Sequence, residues 1–162
     1  MFWSRSFAPP DPATLKPCRV LLASEGRHIS KEAIAFAADL ARGSGTQVRV
    51  LSIARIWGTS LGIPAPGLLP NKQEWQQQRD LVADAVRGLK RLDVAADGHV
   101  LGARNPTKYI LREAQRLGVN AIVMGGDPPR SWIIANMLWS QEPYRVQRRA
   151  KIPVYVVLSP ES

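Results

Sequence analysis

Two stretches of this chain carry residue types at spacings suited to holding a charged small molecule. "SEGRH" (24–28) follows a short apolar run and places a carboxylate, Glu25, in a turn. "GGDPPRS" (125–131) follows another apolar run with two glycines, the residues that let a backbone come close to a phosphate, and Arg130 and Ser131 stand near as anion contacts. Other chemistry is thin. There is no G-x-x-x-x-G-K-[ST] loop and no G-x-G-x-x-G opening a helix after the first apolar run. His28 and His99 are the only histidines and Cys18 the only cysteine, so no Cys/His cluster has metal-ligand spacing. His28 reads as an exposed turn residue and His99 as a structural residue within a strand. Cys18 opens an apolar run and reads as a buried thiol of a reducing, cytoplasmic compartment. With no catalytic set in view, the expectation is a protein that is not an enzyme.

The elements that must position these stretches follow from periodicity and punctuation. "CRVLLAS" (18–24) predicts a buried strand, bounded by "EGRHIS". Ser30 is then a helix N-cap, with Ile34, Ala37, Ala38 and Ala41 at helical spacing and Gly43 at the expected C-cap. "TQVRVLSIARI" (46–56) is a second strand, followed by the Gly/Pro-dense "WGTSLGIPAPGLLP", an irregular loop. Asn71 and Glu74 form a capping-box spacing ahead of a helix through about residue 92, with Leu81, Val82, Ala85, Val86 and Leu89 as its stripe. "DGHVLGA" (97–103) is a weaker third strand. "NPTKYILREAQRLG" carries an Asn cap, Pro at the first helical position and a Gly stop. "VNAIVMGG" is the fourth strand, and a short helix through "PYRVQRRA" leads to "IPVYVVL", the fifth. Such alternation implies right-handed crossovers and a parallel sheet covered on both faces. Ligands of such sheets collect beyond the carboxyl ends of the strands, which places "SEGRH" and "GGDPPRS" side by side.

Composition narrows the class further. At 162 residues the length suits one domain with a sizeable core. The longest apolar stretch, "SWIIANMLW", is far short of the ~20 residues that span a bilayer. Residues 1–17 lack the apolar core of a signal peptide and read as a flexible Pro-rich leader, with 159–162 as a tail. Lys and Arg outnumber Asp and Glu by 22 to 13, a formal +9, which favours acidic partners. The densest basic group, Arg145, Arg148, Arg149 and Lys151, reads as a solvated helix face. Without aromatic residues interleaved among the arginines, stacking platforms for nucleic acid are missing, and no nucleic-acid partner is expected.

The ordered set "RVLLASEG…S", "GARNPTKYILREA", "GVNAIVMGG" and "RAKIPVYVV" resembles the universal stress protein family over residues 18–158. The resemblance implies an α/β fold of Rossmann-like type: one five-stranded parallel sheet of order 3-2-1-4-5, helices on both faces, and dimerisation through the last strand. An apolar edge strand, with Val154, Tyr155 and Val156 at its heart, is independently prone to pair. ATP-binding members have an acidic residue after strand one that contacts adenine; that position here is Glu25. They also carry G-x2-G-x9-G-[ST] after strand four. Gly125 keeps the first glycine, but the second falls on Pro128, which has no N–H and a fixed φ. The last glycine becomes Ser140 and the following Ser/Thr becomes Gln141. The nucleotide-contacting set implied by the resemblance is Ala23, Glu25, Ile53, Met124, Gly125, Gly126, Arg130, Ser140 and Gln141.

The leading expectation is a homodimeric regulatory domain of the stress response with a degenerate nucleotide loop, acting by ligand or partner binding. The alternative is an ATP binder using Glu25 at adenine, Gly125 and Gly126 at the phosphates and Ser140 at the helix start, with no metal beyond the Mg that accompanies ATP. The tryptophan-rich insertion, residues 128–140 with Trp132 and Trp139, either packs over the cleft or the dimer mate, or meets a protein partner or membrane surface.

Overall fold

The computed structural model describes residues 18–56, 70–126 and 142–159. The leader, the Gly/Pro-dense loop, the tryptophan-rich segment and the last three residues lie outside the described residues. Among the described residues five strands and four helices alternate: β1 (Cys18–Ser24), α1 (Lys31–Ser44), β2 (Gln47–Arg55), α2 (Lys72–Arg91), β3 (Ala96–Ala103), α3 (Pro106–Leu117), β4 (Ala121–Gly126), α4 (Glu142–Arg149) and β5 (Val154–Leu158). All strand pairs are parallel, and the sheet order is β3-β2-β1-β4-β5, as expected.

The apolar runs are continuous because both faces of the sheet are covered. Val20 and Leu22 of β1, with Val48 and Val50 of β2, point to one face and pack under Ala33, Ala37, Val82 and Leu89 from α1 and α2. Leu21, Ala23, Leu51 and Ile53 alternate to the other face and pack under Ile110 and Ala114 of α3 and Val146 of α4. The period of two in each strand thus feeds two separate cores, one per face.

The caps follow the sequence closely. Ser30 accepts from Ala33 N, Asn71 from Glu74 N and Asn105 from Lys108 N, each satisfying an orphan donor of a first turn. Gly118 closes α3 in the left-handed region at φ 64°. One expectation is corrected: α1 runs on to Ser44 and is capped by Gly45 (φ 65°), not Gly43. Gly43 lies inside the last turn, where nothing requires a glycine, whereas the cap needs positive φ. Leu81 is half-buried, leaving Val82, Ala85, Val86 and Leu89 as the buried stripe of α2.

Candidate functional site

The turn after β1 is built by local hydrogen bonds. Ser24 Oγ donates to the Arg27 carbonyl (2.6 Å) and accepts from Gly26 N–H (3.1 Å), folding "SEGR" back on itself. Gly26 has φ 117°, and a Cβ there would sit 3.1 Å from the Ile53 carbonyl oxygen, so both conformation and space demand a glycine. Gln78 of α2 locks the turn to the sheet: its Nε2 donates to the Gly26 carbonyl (3.1 Å), while its Oε1 accepts from Ser52 Oγ (2.5 Å).

This arrangement buries Glu25, whose residue is 7% exposed. Arg27 Nε donates to Glu25 Oε1 at 2.5 Å. The second oxygen, Oε2, is buried and has no hydrogen-bond partner among the described residues. An unpaired buried carboxylate oxygen is costly, on the order of 1–3 kcal/mol or more for a charged group, so it is a ready acceptor for an amine or N–H. Beside it opens a cleft of about 360 Å³ beyond the carboxyl ends of β1 and β2. Its lining includes Glu25, Gly26, Arg27, Ile53 and Arg55, with Gln77 and Gln78 of α2 as a wall. A volume of this order suits a small ligand.

A second polar knot forms around Arg55, which also lines the cleft. Glu142, the first residue of α4, is buried at 6% exposure. Its Oε1 accepts from Arg55 Nη2 (3.2 Å) and Arg145 Nη1 (3.1 Å), and its Oε2 from Thr107 Oγ1 of α3. One carboxylate thereby ties the end of β2 to the starts of α3 and α4. The sequence reading missed it; a Glu in a first helical turn reads as a dipole partner, and only the fold reveals three donors around it.

Of the nine expected ligand residues, Glu25 and Ile53 line the cleft. Ala23 and Met124 have side chains fully buried in the α3/α4-side core, are adjacent through the register Ala23↔Met124, and do not line this cleft. Gly126 is explained by packing, since a Cβ there would approach Val156 Cγ1 to 2.4 Å. At Gly125, by contrast, a Cβ would meet nothing within 4 Å among the described residues. Arg130, Ser140 and Gln141, with Trp132 and Trp139, lie outside the described residues. His28 is exposed, as expected. His99 is buried on β3 with Nε2 3.3 Å from Glu113 Oε1, and Arg116 also pairs with Glu113, a structural cluster away from the cleft. Among the described residues no three His, Cys, Asp or Glu side chains gather in a way that would hold a metal. No described helix is long and apolar enough to cross a membrane.

Comparison with known proteins places this geometry in context. The chain matches the model of the universal stress protein family over residues 18–157. Among curated proteins, no sequence relative is found. Similar solved structures include a universal stress protein from Archaeoglobus fulgidus in complex with dAMP. It is 19% identical with a TM-score of 0.64, and the match covers 86% of this chain and 96% of that one. A family protein from Burkholderia pseudomallei is 18% identical (TM-score 0.62, covering 92% and 98%). A family protein from Arabidopsis thaliana with AMP bound is 13% identical (TM-score 0.54, covering 89% and 93%).

Proposed function

This chain belongs to the universal stress protein family, and from that premise we propose that it is a non-catalytic regulatory domain that binds an adenine nucleotide with the base in the Glu25 cleft. The observation that carries the reading is the buried, unpartnered Glu25 Oε2 at the wall of a ligand-sized cleft at the carboxyl ends of β1 and β2. An exocyclic amine is the donor such an oxygen lacks, and adenine presents one. The similar structures that hold dAMP and AMP support the same choice. The loop after β4, with Pro128 where a phosphate-facing glycine would stand, sets this chain apart from the pattern of ATP binders. Recognition here therefore rests on the base more than on the phosphate chain.

In this reading the protein works in the cytoplasm as a homodimer joined along β5, and the ligand biases what the dimer offers to other molecules. The reading is non-catalytic: among the described lining residues no base stands beside a nucleophile.

The test is a thermal melt with adenosine, AMP and Mg-ATP at millimolar concentration, run on the native protein and on Glu25→Ala. At a hundredfold excess over Kd, a ligand of the folded state stabilises by about 2.7 kcal/mol, several degrees for a domain of this size. All three should raise the melting temperature of the native protein, and none that of Glu25→Ala. No shift with any of them would sink the proposal. A shift with Mg-ATP alone would move recognition to the phosphates and favour the conventional ATP-binding mode.

A further inference from the structure

On the opposite end of the molecule, at the amino ends of β4 and β5, a second concavity of about 410 Å³ lies between the last turns of α3 and α4. Its floor belongs to the core itself: Ala114, Val119 and Ile122 are 4%, 6% and 0% exposed. Leu111 and Ile152 extend the apolar lining outwards. The rim carries two exposed cations, Arg149 and Lys151, and among the described residues no carboxylate lines the groove. Neither cation has an ion-pair partner among the described residues.

Two helix C-termini end here, and each brings about −0.5 of an elementary charge. Two full positive charges outweigh them, so the mouth is net cationic. An apolar hollow open to water forfeits contacts on one side, which a hydrocarbon chain would restore. A water-filled role does not fit, since the floor offers no polar partners. The leader (residues 1–17) is a poor complement, because with Arg5 and Lys16 against Asp11 it is itself net cationic.

We propose that this groove is a binding site for a monomeric acidic amphiphile of the fatty-carboxylate class. The chain lies along Leu111, Val119, Ile122 and Ile152, and the head group faces Arg149 and Lys151. The site is separate from the Glu25 cleft and shares no lining residue with it.

Full-length protein is titrated with dodecanoate below its micelle concentration, with dodecanol as the uncharged control, and compared with the double variant Arg149→Glu/Lys151→Glu. Both substituted residues are exposed, so folding is retained. A second variant, Gln115→Trp, fills the groove from an exposed lining position. Expected are saturable dodecanoate binding, at least tenfold weaker dodecanol binding, at least tenfold loss in the charge-reversal variant, and loss of both ligands in Gln115→Trp. Equal affinity for the two ligands, or dodecanoate binding untouched by either variant, would overturn the assignment. So would binding that appears only after residues 1–17 are removed, which would make the leader the occupant. Adsorption to anionic vesicles with no uptake of monomeric dodecanoate would overturn it in favour of a membrane surface.

Discussion

Glu113 shows how neighbouring charge decides the behaviour of a buried acid. Burial alone would raise its carboxyl, but the His99 ring and the Arg116 guanidinium beside it more than offset this and hold it down at about 2. The unfolded value is near 4.5, so the unfolded chain takes up the proton first as pH falls. The stabilisation is complete above about pH 4.5 and drains away as the pH drops towards 2, to the extent of on the order of 3 kcal/mol. Urea titrations between pH 2 and 6 should show this slope, and Glu113→Gln should flatten it. An unchanged slope in that variant would mean other carboxylates carry the acid sensitivity. At this scale the sequence was legible only in part. The turn that carries Glu25 could be placed from the rule that ligands gather at strand carboxyl ends, Glu25 itself was singled out only through the family resemblance, and His99 was placed from its strand. The lock by Gln78 was not readable, because the Gly26–Gln78 bond joins positions 52 apart in the chain.

Elements were the most legible level, because their signals are local. Among the described residues the three polar N-caps, Ser30, Asn71 and Asn105, stand where the sequence puts them, and Asn105→Ala should cost about 1 kcal/mol by urea denaturation. The misplaced C-cap of α1 arose because two glycines, Gly43 and Gly45, compete within one turn, and only the observed φ of 65° separates them. α4 is a different case. It is short and polar, and what anchors it beyond Pro143 and Val146 is the Glu142 carboxylate, 87 residues from Arg55 in sequence. Removing one partner of a buried ion pair costs on the order of 3 kcal/mol. Glu142→Ala should therefore destabilise by about that much, and Glu142→Gln by less, since the amide oxygen still accepts. Equal losses in the two would show that charge, not hydrogen bonding, holds the knot.

For the whole molecule, topology was legible from the strand–helix alternation and the family resemblance together, while assembly was not. β5 is an edge strand with Tyr155 39% and Leu158 45% exposed, and Tyr155 leans on Phe36 of α1 with ring centroids 5.1 Å apart. An apolar edge that no described strand pairs invites a second copy. Tyr155→Lys with Leu158→Lys should halve the mass seen by light scattering at micromolar concentration. A native protein already monomeric there would refute pairing through β5.

The sheet order has one more consequence. β1 is the central strand, yet its partner β4 begins only at Ala121, where Val20 pairs with it. A chain made only as far as Ala103 contains β1, β2 and β3 but not β4, the strand that pairs with the other flank of β1. Leu21 and Ala23 are also without Ile110, Ala114 and Val146, which cover them later. Pairings this distant in sequence form slowly and leave sticky intermediates meanwhile. The vulnerable moment in this protein's life is thus during its synthesis, on the ribosome, before residue 121 arrives.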